Sequence, residues 1–126
     1  MTERDFQRRF TRWCKYNINK TSVFELKFCK DKSLPFSAVK EHQIEGLAAA
    51  KKKMVYKIPD LGMQNPFDCL CVTGAEAYIV IMFYKRGQKK FYMIELEDFL
   101  HMKGIFNRKS ITEDMAKQYG RSCYLK

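Results

Sequence analysis

The apolar stretch Ala77 to Tyr84, with Tyr78-Ile79-Val80-Ile81-Met82-Phe83 at its centre, constrains the fold more than any other part of the chain. A strand with one wet face alternates apolar and polar residues. This one has almost nothing to turn to water, so it reads as a strand covered on both faces by helices. It is far too short to cross a bilayer.

The flanking text supplies those neighbours. Phe6, Phe10 and Trp13 recur at helical spacing from Thr2 to about Asn17, with Arg8, Arg9 and Arg12 turned away from the apolar stripe, which predicts an amphipathic helix with a basic outer face. Glu3, three residues before Phe6, falls on its inward side. In Ser22 to Phe28 a period of two puts Phe24, Leu26 and Phe28 on one face of a strand and Glu25 and Lys27 on the other. A lysine-rich turn carrying Lys30 and Lys32 follows, then a helix from about Ser37 to Lys53 with Val39, Gln43, Leu47 and Ala50 along one side. Two prolines and a glycine between Val55 and Pro66 suggest an extended connection or weak edge strand.

Asp68 to Val72, the turn at Thr73-Gly74 and the long strand come next. The turn Arg86 to Lys90 and a strand Phe91 to Leu96 then make a hairpin. A short helix ending at Gly104 and a last helix Ile111–Tyr119, started by a Ser110/Glu113 capping pattern and stopped at Gly120, complete the order α-β-α-β-β-β-α. The expected class is α/β (α+β), a mixed sheet flanked by helices, and 126 residues suit a single domain, 1–126.

Charge narrows the partners. Twenty-four Lys and Arg against fourteen Asp and Glu give a formal charge of +10, the mark of a chain that meets a polyanion. Basic side chains that neutralise phosphates release condensed counterions and bind nucleic acid without regard to sequence. The densest basic groups on the predicted helices, Arg8 with Arg12 and Lys51 with Lys53, are the candidate phosphate contacts, together with Lys30 and Lys32. The five cysteines are odd in number and lack a C-x-x-C pair, and with only His42 and His101 beside them a four-ligand zinc set is hard to assemble. They read as reduced thiols, core-filling or partly buried, in a cytoplasmic protein without a leader or membrane association.

Phosphodiester hydrolysis calls for a hard divalent cation held by carboxylate oxygens and a positive group facing the charge that develops on the phosphate. Glu25-Leu26-Lys27 offers a carboxylate and an ammonium on one strand face, with the Leu26 carbonyl as a further oxygen. One acid cannot hold the metal alone. Asp68 is preferred as the second, because a carboxylate at a strand end is positioned more rigidly than one in a loop, and Asp60 is its rival.

Phe24-Glu25-Leu26-Lys27, then Lys32-Ser33-Leu34-Pro35-Phe36, then His42-Gln43-Ile44-Glu45-Gly46-Leu47, resembles in order and spacing the RecU family, also called penicillin-binding-protein-related factor A. Ala77 to Phe83 looks like the apolar strand that follows the same helix there. The resemblance implies a restriction-endonuclease-like core of the PD-(D/E)XK type. It also implies a homodimer that cleaves four-way (Holliday) DNA junctions with Mg2+, for which Mn2+ can substitute. Glu25 and Lys27 would take the family's E-x-K places, and Gln43 that of a helix glutamine near the metal. The family's aspartate lies before E-x-K, yet no acidic residue occurs between Trp13 and Glu25. Asp68 on a migrated strand, or Glu3 from the first helix, would have to supply that carboxylate.

Overall fold

A computed structural model describes residues 1–58, 68–106 and 108–125. In chain order the elements are α1 (Glu3–Asn17), β1 (Ser22–Cys29), β2 (Ser33–Pro35), a 3-10 turn (Phe36–Ala38), α2 (Glu41–Lys52), β3 (Lys53–Lys57), β4 (Cys69–Thr73), β5 (Glu76–Phe83), β6 (Lys90–Glu95), α3 (Leu96–Ile105), β7 (Ser110–Thr112), α4 (Glu113–Tyr119) and β8 (Arg121–Tyr124). The apolar run becomes β5, an inner strand of a four-stranded mixed sheet in the order β1-β5-β6-β8. It runs parallel to β1, with Glu25 opposite Ile79 and Lys27 opposite Ile81, and antiparallel to β6.

Parity along β5 divides the core. Ala77, Ile79, Ile81 and Phe83 face a cluster built with Leu47 of α2, Phe99 and Met102 of α3 and Met115 of α4. Val80 and Met82 face Phe6, Phe10 and Trp13 of α1. Helices therefore cover both faces, as the absence of alternation in the run requires. The chain is of the mixed α+β class.

Local chemistry starts α1 where the pattern places it. The Thr2 hydroxyl accepts the Asp5 N–H at 3.2 Å and the Asp5 carboxylate accepts the Thr2 N–H at 2.9 Å, a reciprocal box that satisfies two otherwise orphaned donors.

Several boundaries differ from the sequence expectation. The helix expected from Ser37 begins at Glu41, because Phe36–Ala38 forms the 3-10 turn and Lys40 is extended. It ends at Lys52, and Lys53 opens β3 rather than closing the helix. The third helix continues through Gly104 to Ile105, where no described atom crowds the glycine and the Phe106 N–H reaches the Met102 carbonyl at 3.1 Å. Thr112, not Ser110, caps α4, since Ser110 is taken by the β2–β7 pairing that seats Ile111 opposite Leu34. β2, β7 and β8 are three further strands absent from the sequence reading. Cys29 and Cys123 are buried and Cys14 partly so, but Cys69 and Cys71 are exposed, two residues apart on a hairpin strand with solvent on that side. Among the described residues no helix is long and apolar enough to cross a membrane.

Tyr78 and Tyr92 give the fold an alkaline limit. Burial, then the hydrogen bond Tyr78 donates to Glu76 at 2.7 Å and the nearby charges of Glu76 and Glu95, push the Tyr78 phenol up to about 12 from 10.0. Burial and a bond to Glu113 at 2.8 Å push Tyr92 up as well. Below pH 10.0 both folded and unfolded chains keep the Tyr78 proton, so its contribution is fully present. Between 10.0 and about 12 only the unfolded chain ionises there, and that contribution is lost as pH rises. Urea midpoints should therefore fall from about pH 9 to about pH 11, and fall less in Tyr78→Phe. Equal slopes in the two proteins would contradict the assignment.

Candidate active site

Among the described residues β1 is an edge strand, and its Glu25 and Lys27 side chains point to the α2 side while Phe24, Leu26 and Phe28 pack toward α1. The alternation follows from strand geometry alone. Lys27 Nζ lies 3.3 Å from Glu25 Oε1, with the two side chains 18% and 26% exposed. So sheltered a pair is screened less than one on open surface.

Gln43 fixes the ammonium from the other side. Its Oε1 accepts a hydrogen bond from Lys27 Nζ at 3.1 Å and another from the Lys40 N–H at 2.8 Å. The second bond ties the amide to the N-terminus of α2, where a free backbone donor exists. Lys27 is thus held between a carboxylate and an amide oxygen, both at hydrogen-bonding or ion-pairing distance.

These groups border a cavity of about 610 Å³ between α1 and the β1 edge, lined also by Glu3, Gln7, Thr11 and Cys14. At about 100° per residue these four α1 positions fall on one flank of the helix. The structure therefore brings together Glu3, Glu25, Lys27 and Gln43, four residues singled out by sequence. Glu3 is exposed at the rim rather than directed inward with Phe6. Gln7 and Thr11 were not anticipated, although their spacing of four from Glu3 was a readable signal.

Asp68 stands elsewhere. It is exposed at a bend before β4, and its carbonyl accepts the Ile58 N–H at 2.9 Å, closing the β3–β4 hairpin, which is a sheet of its own. Val72, at the other end of β4, packs with Ala50 and Ala75 beside Val23 of β1. Four residues of strand, roughly 13 Å, separate the two ends. Asp68 is not among the residues lining the cavity. Asp60 lies outside the described residues. Among those described, no three His, Cys, Asp or Glu side chains group as a metal cluster. His42 is exposed on α2.

The basic candidates occupy separate places. Arg8 and Arg12 line a different cavity on the other flank of α1. Lys30 and Lys32 border a recess beyond the end of β1, together with Asp31, Lys85 and Glu113. Lys51 is ion-paired with Glu97, and Lys53 is exposed at the start of β3. Compared with models of known families and with curated proteins, the chain matches none.

Proposed function

We infer that the chain is a metal-dependent endonuclease of restriction-endonuclease-like architecture that acts on branched DNA, four-way junctions being the substrate suggested by its resemblance to the RecU family. The observation that carries this reading is the convergence of Glu25, Lys27, Gln43 and Glu3 on one cavity at a sheet edge. The donor set is hard: Glu25 and Glu3 would hold Mg2+ or Mn2+ through carboxylate oxygens, with Asp68 or Asp60 as further candidates. When bound, the cation polarises the phosphate and makes hydroxide available at neutral pH. Lys27 meets negative charge developing on the phosphate, and Gln43 keeps the ammonium from collapsing wholly onto Glu25. Cleavage of a four-way junction in preference to linear duplex at equal salt is the direct test. Magnesium-independent or absent cleavage of both would reject the reading.

A second reading, a noncatalytic DNA-binding accessory protein, is favoured by one placement: Asp68 heads a separate hairpin while Glu25 is already paired with Lys27. Selective junction binding without cleavage would support it. An end-directed nuclease shares the chemistry and would reveal itself by needing free ends.

Two further outcomes belong to the junction reading. Paired cuts on like strands call for a C2 pair of sites, so sedimentation should report a homodimer, and a strict monomer with and without junction DNA would weigh against resolution. Affinity should fall with salt at a log-log slope of about −0.9 per neutralised phosphate. Reversing Arg8 and Arg12 should flatten that slope by roughly two contacts. Reversing Lys51 and Lys53 should flatten it less, because Glu97 already engages Lys51. Salt-independent affinity would remove DNA as the partner.

A further inference from the structure

The flank of α1 opposite Glu3 borders a cavity of about 450 Å³ whose chemistry is of another kind. Arg8, Arg9 and Arg12 reach it from α1, Lys89 from the segment before β6, and the rings of Trp13 and Tyr16 close it. No carboxylate is among the described residues that line it. Arg8 is tied to Asp5 at 3.4 Å, whereas Arg9, Arg12 and Lys89 have no ion-pair partner among the described residues. The negative end of the α1 dipole amounts to roughly half a unit charge and does not offset them.

The two rings differ in freedom. Trp13 is stacked on Phe10 at 5.8 Å and meets Phe91 edge-on at 5.0 Å, which makes it a fixed wall. Tyr16 is 77% exposed, an apolar ring left in water with the Lys15 ammonium 5.8 Å from its centroid. Unneutralised guanidiniums suit phosphate oxygens, and an exposed ring suits the face of a base. A recess of this volume falls within the range of small-ligand sites. Phosphates of an intact duplex would satisfy the arginines, but its bases are already stacked on each other and would leave Tyr16 bare.

We propose that this cavity takes an unpaired nucleotide of a DNA single strand, with its phosphate on Arg9 and Arg12 and its base on Tyr16. The proposal rests on the reading of DNA as the ligand, and not on cleavage. α1 then separates the Glu25 cavity on one flank from a strand-holding cavity on the other.

Trp13 is the chain's only tryptophan, so its emission reports directly on the wall of this cavity. A short oligothymidylate titrated in magnesium-free buffer should perturb that emission, and Tyr16→Ala should weaken the binding about tenfold. Tyr16→Phe, which keeps the ring, should bind as the parent does. A blunt duplex should lose less than about twofold in Tyr16→Ala. Unchanged oligothymidylate affinity in Tyr16→Ala, or an equal loss on the duplex, would overturn the proposal. Thymidine monophosphate binding as tightly as the oligomer would overturn the strand as the source of the nucleotide. Cleavage assayed on the same preparation separates the two readings. An inactive chain with Tyr16-dependent oligomer binding sinks only the nuclease, and an active chain with Tyr16-independent binding sinks only this site.

Discussion

Glu25→Gln should lower magnesium-dependent cleavage by roughly 10²- to 10³-fold or more while leaving DNA affinity in metal-free buffer close to that of the parent. The substitution keeps the size and hydrogen-bonding capacity of the side chain but removes the charge that pairs with Lys27 at 3.3 Å. Lys27→Ala should fail as completely, because its ammonium is the only cation among the described residues that line that cavity. Glu3→Gln separates the possible partners of Glu25: a large loss makes the α1 carboxylate part of the site, whereas a loss confined to Asp68→Asn would bring the hairpin to it. Full cleavage by both Glu25→Gln and Lys27→Ala would end the proposal that this edge performs hydrolysis. Circular dichroism and junction binding on the same proteins distinguish lost chemistry from lost fold.

Phe91→Ala should be the most damaging of the core truncations. Phe91 is fully buried on β6, where its ring lies 6.1 Å from Phe6, 5.7 Å from Phe10 and 5.0 Å from Trp13, centroid to centroid. Removing it takes away the surface on which α1 rests and leaves a cavity that three aromatic side chains on a helix cannot easily refill. The expected loss is about 3–5 kcal/mol, a large part of the stability of a domain this size. Urea unfolding measures it, and a loss below about 1 kcal/mol would show that α1 is not anchored through this ring.

The sequence made legible what depends on periodicity. The inward stripe Phe6, Phe10, Trp13 and the opposite faces of Phe24 and Glu25 are consequences of 3.6- and 2-residue repeats within one element, and the two-sided burial of Ile79 to Met82 follows from the lack of any such repeat in an apolar strand. That Glu25 and Lys27 share a face was readable from the strand period, but the approach of Gln43 to them was readable only through a resemblance, because strand and helix periods do not say which elements become neighbours. What stayed hidden depends on pairing over distance. β2, β7 and β8 are three or four residues long, too short to show alternation, and exist because partners far along the chain complete them. Ser110 matched a capping pattern but was claimed by such a pairing, leaving the cap to Thr112. Cys69 and Cys71 looked like core residues because free cysteine commonly is one. Their exposure follows from a hairpin that has no second layer on that side among the described residues.

Among the described residues β1 pairs only with β5, so its outer edge offers unpaired backbone donors and acceptors. An open strand edge flanked by Phe24, Leu26 and Phe28 invites another chain to add itself in register, and charged side chains on such a strand are a common protection against it. Glu25 and Lys27 are the charges this strand carries, and they are expected to oppose such addition as well as face the cavity. A single substitution leaves one formal charge on the strand, but Glu25→Gln combined with Lys27→Gln leaves none between Ser22 and Cys29. That double variant should self-associate through strand addition at concentrations where each single variant stays dispersed, and turbidity that grows with concentration would record the second role of the pair.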